Sequence, residues 1–332
     1  MDVIEEILER LDPEDLLRCK SVCKSWYNLI SSDSFVKAHL KRSYISNREH
    51  RFFRIHIDWN SSYITENNNK LWRNFMMVGS CDGLVCISRF EEELLVANPS
   101  TREVIKLPKV PYSNWRCWGF GYDSLTDDFK VVVGFNESKH HMRFQLLSLK
   151  SNQWKFAGEG DCLSYRTCSF YPYRPYPYPG VLYDGALHWF MYDTKKKKKK
   201  KKKKKIVILS FDISLEEFKE IPQPDDDSYS CDDRTRLEIF DECLCIYNSY
   251  DIHTNHRQIW VMKNYNCWQL IPSDYAREKF DDITGLALHI NRDNTLHLYV
   301  DPRYGKFSFH IVFPIFVKSL VSPKIKKKYQ YE

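Results

Sequence analysis

Ser100-Thr101-Arg102-Glu103-Val104 runs through turn-forming residues into a large apolar side chain, and the event returns three times in the chain. It recurs as Ser151-Asn152-Gln153-Trp154, as Ser214-Leu215-Glu216-Glu217-Phe218 and as Asn264-Tyr265-Asn266-Cys267-Trp268. The spacings between Val104, Trp154, Phe218 and Trp268 are 50, 64 and 50 residues, and taking out the eleven consecutive lysines Lys195 to Lys205 brings the middle one to 53. Gly83-Leu84-Val85 and Gly185-Ala186-Leu187-His188-Trp189, 102 residues apart, fit the same frame at two periods. A repeat of this length, built from strands and tight turns, predicts kelch-like propeller blades in which four strands make a sheet and the sheets pack radially. The alternative is coincidence among many β-turns, and the chain's 11 glycines are too few for the paired glycines of a standard kelch signature. About 270 residues at this period accommodate five or six blades, with Phe316-Val317-Lys318-Ser319-Leu320-Val321 as a strand that closes the first sheet. Within the frame, Val78 to Ile87 reads as two strands around Ser80-Cys81-Asp82-Gly83, and Leu94-Leu95-Val96-Ala97 as a strand ended by Asn98-Pro99-Ser100.

Upstream of about residue 51 the period changes to that of a helix. Val3, Ile4, Ile7, Leu8 and Leu11 fall on one face, with Glu5, Glu6, Glu9 and Arg10 on the other. In Asp12-Pro13-Glu14-Asp15, Asp12 is suited to cap a second helix, Pro13 to its first turn and the acids to its positive end; that helix carries Leu16 and Leu17. A third helix presents Val22, Trp26, Leu29 and Ile30, and Ser31-Ser32-Asp33-Ser34 restarts the chain into Phe35, Val36 and Leu40. A helical unit of about 40 residues is too small to hide this much apolar surface within itself. Periodicity leaves two covers open: the domain that follows, or a separate partner.

The residues Asp2-Val3-Ile4-Glu5-Glu6-Ile7-Leu8-Glu9-Arg10-Leu11, then Leu16-Leu17-Arg18-Cys19-Lys20-Ser21-Val22-Cys23-Lys24-Ser25-Trp26, then Leu29-Ile30-Ser31 and Phe35 resemble an F-box over nearly the whole motif. The resemblance implies docking onto a Skp-family adaptor and, through it, a cullin-RING scaffold. It assigns the contact to Ile4, Ile7, Leu8, Pro13, Leu16, Leu17, Val22, Cys23 and Trp26. F-boxes of this kind begin with a Leu-Pro pair just before the segment equivalent to Asp2-Val3-Ile4, and the sequence starts after that point. The expectation is either a misassigned start codon or a weakened hook.

A second resemblance covers residues 78 to 270. Gly79-Ser80-Cys81-Asp82-Gly83-Leu84-Val85-Cys86, Asn98-Pro99-Ser100-Thr101-Arg102, Gly119-Phe120-Gly121-Tyr122-Asp123, Asp127-Asp128-Phe129-Lys130-Val131-Val132, and Phe211-Asp212 with Glu217-Phe218 are similar to the F-box-associated domain of the large plant F-box families, in order. That domain's role is substrate recognition. The fold class expected is therefore α+β multidomain: a small N-terminal three-helix F-box at 1–42, linker and first β segments at 43–77, and an all-β, kelch-like β-propeller at 78–322. A loop of lysines at 195–205 interrupts the propeller and a basic tail at 323–332 follows it.

Composition narrows the functional classes. Aromatic residues at 15% are incompatible with an unpacked chain. The eleven lysines supply more than the whole net charge of +6, so the rest of the chain carries −5 and lacks the basic footprint of a phosphate-binding domain. An acidic, periodic N-terminal stretch is not a signal peptide, and no run approaches the roughly 20 apolar residues of a membrane span. A soluble protein of the cytoplasm and/or nucleus is expected, with its 11 cysteines reduced, no membrane partner and nucleic acid disfavoured.

No residue set points to catalysis or a cofactor. Gly119-Phe120-Gly121-Tyr122 lacks the third glycine and the helix of a nucleotide site and reads as a turn between strands. Cys19 and Cys23 sit one helical turn apart and Cys243 and Cys245 alternate on a strand, but neither pair belongs to two spaced ligand pairs suited to zinc. His140-His141, and His253 with His256, lie in polar segments with no catalytic or metal-binding constellation in the sequence around them and read as surface histidines. No nucleophile elbow is present. The lysine run has three readings, a nuclear-import or polyanion-binding run, a solvated hairpin-loop insertion, or the translation of an adenine-rich repeat in the gene, and a tolerated insertion without a selected role is favoured. Tyr171-Pro172-Tyr173-Arg174-Pro175-Tyr176-Pro177-Tyr178-Pro179 reads first as a low-complexity loop and second as a target-binding loop, in which stiff prolines display Tyr171, Tyr173, Arg174, Tyr176 and Tyr178. The function expected is that of a non-catalytic substrate receptor of an SCF-type ubiquitin ligase acting on an unidentified target protein. The competitor is a propeller lectin or scaffold whose shortened F-box no longer recruits a ligase; a propeller enzyme is disfavoured. Fold alone does not name the target.

Overall fold

A computed structural model describes residues 3–46, 54–56, 75–89, 93–112, 115–158, 163–168, 178–194, 205–231, 235–240, 242–248, 259–272, 285–290, 296–300 and 317–324. The chain divides into two compact units, one formed by Met1–Leu107 with Ile283–Glu332 and the other by Pro108–Asp282.

The first unit opens with four helices, α1 (Val3–Leu8), α2 (Pro13–Cys19), α3 (Lys24–Ile30) and α4 (Asp33–Ser46). The restart expected at Ser31-Ser32-Asp33-Ser34 is thus a helix of its own, begun by Ser32, whose hydroxyl accepts the Phe35 N–H at 3.2 Å. Pro13 occupies the first turn of α2 as expected, where its missing N–H costs nothing. Asp12 stands at the N-cap position but its side chain makes no capping bond. Cys23 caps α3, its sulfur accepting the Trp26 N–H at 3.5 Å. Leu8, Leu16, Ile30 and Phe35 form the buried centre, with Leu11, Cys19, Trp26, Leu29 and Val36 partly buried around it.

The same unit holds an antiparallel meander of β2 (Phe75–Cys81), β3 (Leu84–Arg89), β4 (Glu93–Asn98) and β5 (Glu103–Lys106). It also holds a three-stranded sheet in which β1 (Arg54–His56) pairs parallel with β20 (Gly285–Ile290), itself antiparallel to β21 (Leu296–Val300). The β2–β3 hairpin turns at Asp82 and Gly83, both left-handed with φ of 51° and 79°. The segment 317–322, expected with Phe316 as the closing strand, pairs with no sheet; it meets the β2–β5 sheet through the Ser319 hydroxyl and the Ser319 and Val321 carbonyls, and Phe316 lies outside the described residues.

The second unit contains three further meanders. One is β6 (Trp115–Asp123), β7 (Asp128–Asn136), β8 (Met142–Ser148) and β9 (Gln153–Phe156), joined along β6 by β11 (Tyr178–Pro179). The next is β12 (Val181–Tyr183), β13 (Ala186–Asp193), β14 (Ile206–Asp212) and β15 (Glu217–Ile221), with β10 (Tyr165–Thr167) also on β13. The last is β16 (Thr235–Phe240), β17 (Cys243–Asn248), β18 (Ile259–Asn264) and β19 (Cys267–Ile271). Successive sheets pack face to face. Val132, Phe144 and Leu146 meet Leu187, Trp189, Leu209 and Phe211 in one cluster, and Phe190 and Ile208 meet Leu244, Ile246, Trp260 and Met262 in another. Central strands covered on both faces are why Val131-Val132-Val133 is an unbroken apolar run instead of an alternating one.

Each repeat seen in the sequence is one turn of this architecture. Val104, Trp154, Phe218 and Trp268 are each the second residue of an outer strand, β5, β9, β15 and β19. Each strand is preceded by a left-handed residue: Arg102, Asn152, Glu216 and Asn266. Four complete blade-like meanders stand among the described residues, against the five or six expected. Gly119-Phe120-Gly121-Tyr122 is not a turn but the middle of β6. Its glycines are required by crowding, since a Cβ on Gly119 would lie 2.6 Å from the Leu187 side chain and one on Gly121 2.4 Å from Ile213. The lysine run does connect paired strands, as Tyr192 stands opposite Ile206 and Asp193 N–H bonds Lys205 O at 2.9 Å; residues 195–204 lie outside the described residues.

Candidate functional site

The helices sort the nine residues assigned to the hook's contact surface into two sets. Leu8, Pro13 and Leu16 are buried inside the unit, and Trp26 is half-buried against its core. Ile4, Ile7, Leu17, Val22 and Cys23 face solvent, with Ile7 57% and Val22 64% exposed. The split follows from helix geometry: α1 turns Leu8 inward while Val3 and Ile7, one turn apart, share the outward face, and α2 does the same with Leu16 and Leu17. Val3 and Tyr27 are exposed too and were absent from the sequence-based set, although Val3 shares the period of Ile7. Val3, Ile4, Ile7, Leu17 and Tyr27 are thus exposed on helices of six and seven residues, and Val22, expected within the third helix, is exposed in the turn before it. The same helices carry exposed short-range ion pairs, Arg10 with Glu6 at 2.5 Å and Arg18 with Asp15 at 3.0 Å.

The segment 317–324 adds to the core of the inner set. Leu320 lies in one cluster with Leu8, Leu16, Ile30 and Phe35, and the Lys318 ammonium approaches Asp12 Oδ2 at 3.3 Å and Glu14 Oε2 at 3.4 Å. Asp12, expected to cap α2, is therefore engaged by a cation 306 residues away. Of the two covers left open by periodicity, the chain itself supplies one for Leu8 and Leu16 and leaves Ile4, Ile7, Leu17 and Val22 exposed. Lys318 and Leu320 lie in the segment expected to close the first sheet, but no sequence signal paired them with the helices, since pairing over such a separation leaves no local period.

The second candidate surface lies largely outside the described residues. Tyr171, Tyr173, Arg174 and Tyr176 are among those not described, and of Tyr178 only the backbone is given, paired with Cys117 of β6. In the second unit, loops converge where Thr194 donates to the His140 carbonyl at 2.7 Å and its N–H to the Ser164 carbonyl at 3.0 Å. The tight-turn end of the same sheets is tied by Lys130, whose ammonium meets Asp123 Oδ2 at 2.8 Å, Glu216 Oε1 at 2.9 Å and the Ile213 carbonyl at 3.0 Å. Burial opposes ionisation of Asp123, but hydrogen bonds from Lys130, Ser214, Thr126 and the Leu125 amide overcome it and hold the carboxyl below the usual range. His188, buried in β13, has Ser210 Oγ 3.2 Å from Nε2 and the Val181 carbonyl 3.2 Å from Nδ1. Both arrangements are packing devices: neither pairs an open cleft with a nucleophile and its base. Among the described residues no group of three or more His, Cys, Asp or Glu side chains is placed to hold a metal, and no helix is long and apolar enough to cross a membrane.

Comparison with known proteins accounts for both parts of the molecule. The family model for the F-box domain matches residues 1–38, and that for the F-box associated beta propeller domain matches residues 38–300. F-box protein CPR1 of Arabidopsis thaliana is 29% identical over 299 residues, which are 80% of this chain and 70% of that protein. A second Arabidopsis thaliana F-box protein is 27% identical over 300 residues, again 80% and 70%. An F-box/kelch-repeat protein of the same plant is 27% identical over 370 residues, covering 97% of this chain and 95% of the relative. With the helices matched by one family and the blade-like sheets by the other, the chain belongs to the F-box proteins that carry an F-box associated β-propeller domain.

Proposed function

We propose that this protein is the substrate-receptor subunit of an SCF-type ubiquitin ligase. The F-box docks a Skp-family adaptor and through it a cullin-RING scaffold, and the β domain holds a target protein for ubiquitination. The observation that carries the proposal is the exposed apolar set Ile4, Ile7, Leu17 and Val22 on the helices matched as an F-box. Such side chains are costly to leave in water and are the kind of anchor that dominates a protein interface. The receptor itself performs no chemistry in this scheme; transfer of ubiquitin falls to other subunits. We place the hook at 1–42 and target recognition within 78–322, in the cytoplasm and/or nucleus, with Tyr171, Tyr173, Arg174, Tyr176 and Tyr178 as a candidate target-binding loop.

Co-purification tests the docking step. The full chain should bring down a Skp-family adaptor, and Ile7→Asp should weaken the complex by roughly 30-fold or more, the cost of truncating or charging an interface anchor. Failure of the unaltered chain to bind any Skp-family adaptor overturns the proposal.

A further inference from the structure

We propose that residues 317–324 are a strap that completes the F-box core and fixes the helices to the β2–β5 sheet, so that the hook's docking face is held by a segment some 300 residues downstream. Successive residues of this segment have different partners. Lys318 and Leu320 go to the helices: the ammonium to the start of α2, the leucine, 6% exposed, into the cluster of Leu8, Leu16, Ile30 and Phe35. Ser319, fully buried, goes to the sheet. Its hydroxyl donates to the Asp82 carbonyl at 2.8 Å, and its own carbonyl accepts Asn98 Nδ2 at 2.9 Å. The same Asn98 amide donates to the Val321 carbonyl at 2.7 Å.

The sheet is shaped to receive it. At the β2–β3 turn a Cβ on Gly83 would stand 2.2 Å from Ser319 Oγ and 2.5 Å from the Val317 carbonyl, so only glycine leaves room for the strap. From the other side α4 reaches the same turn, Tyr44 donating to Asp82 Oδ1 at 2.8 Å. Asp82 is thus held by a helix through its carboxylate and by the strap through its carbonyl. Leu320 joins the core of Leu8 and Leu16, the set that helix geometry turns inward, while Ile4, Ile7, Leu17 and Val22 stay outside.

Hydrogen–deuterium exchange of the full chain tests this without reference to any partner. Leu320→Ala should speed exchange of amides in residues 3–46 by roughly 30-fold, about 2 kcal/mol at about 1.4 kcal/mol per tenfold, and leave residues 115–158 unchanged. No change in 3–46, or an equal rise across both units, overturns the strap. A second set is milder and avoids the core. Lys318→Glu should speed exchange in 3–20 roughly threefold at low salt, and adding Asp12→Lys with Glu14→Lys should restore it. A triple variant no slower than Lys318→Glu overturns the ionic part of the strap. The proposal rests on the substrate-receptor reading only for its effect on docking, which adaptor affinity of the same variants reads separately: an unaltered chain that binds no adaptor sinks that reading and leaves the exchange result standing.

Discussion

Asn98 uses both ends of its amide. Its Oδ1 accepts the Ser100 and Thr101 N–H groups at 2.7 and 3.2 Å, closing the turn before β5, while its Nδ2 donates to the Ser319 and Val321 carbonyls. Asp212, at the matching end of β14, accepts the Ser214 and Leu215 N–H groups with Oδ1, a task that needs only an acceptor. Asn98→Asp keeps the turn but sets a buried carboxylate against two carbonyls, and should cost roughly 2–4 kcal/mol, seen as a lower urea midpoint with an unchanged slope. His188 gives a pH dependence. Burial opposes its charge and, against the pull of backbone bonds to Val181 and Ala186, lowers its pKa to about 4. The unfolded chain, with a pKa near 6.5, therefore binds more protons between those values, and stability rises with pH across that window. The contribution is complete above about pH 6.5 and is lost as pH falls toward 4, roughly 3 kcal/mol in all. Unfolding curves between pH 4 and 7 should show that slope, and His188→Gln should flatten it.

At the scale of elements, the repeat is a property of turns and outer strands. A left-handed residue followed by a strand whose second position is large and apolar recurs in all four meanders. In two of them that side chain is a tryptophan with an outside partner: Trp154 donates to the Pro108 carbonyl at 3.2 Å and Trp268 to the Pro222 carbonyl at 2.8 Å, each across 46 residues. The 64-residue interval departs from the period because of the lysines between β13 and β14, whose pairing continues from Ala186↔Asp212 to Tyr192↔Ile206. The strands on either side keep full register, so the insertion burdens only loop closure. Replacing residues 195–204 by a short turn should leave thermal stability unchanged or raise it by up to about 1 kcal/mol, since each doubling of loop length costs about 0.6 kcal/mol, and should leave adaptor affinity unaltered. A marked fall in either would assign the run a role. The helices obey the same local logic in part: Pro13 marks a start that composition makes legible, whereas the Cys23 cap of α3 was not read from the sequence and Asp12 reads as a cap and is instead an ion-pair partner.

At the scale of the molecule, the first unit is discontinuous in sequence, Met1–Leu107 with Ile283–Glu332, and the second is the continuous stretch between them. Removing the segment that carries Leu320 should therefore loosen the F-box core at the far end of the chain, read as faster exchange of amides in residues 3–46. Local order was written plainly in the sequence, because helix period, turn chemistry and the spacing of 50, 64 and 50 residues depend on neighbours a few positions apart or on a repeated unit. So the F-box helices, the blade-like strands and the apolar surplus of the hook could all be read from residues alone. Tertiary structure alone decided which apolar side chains stay outside, that Gly119 and Gly121 serve a strand crowded by Leu187 and Ile213, and that Lys318, Ser319 and Leu320 bind helix and sheet together. Those outcomes depend on groups brought together across tens to hundreds of residues, and a separation of 306 positions between Asp12 and Lys318 has no period for a sequence to display.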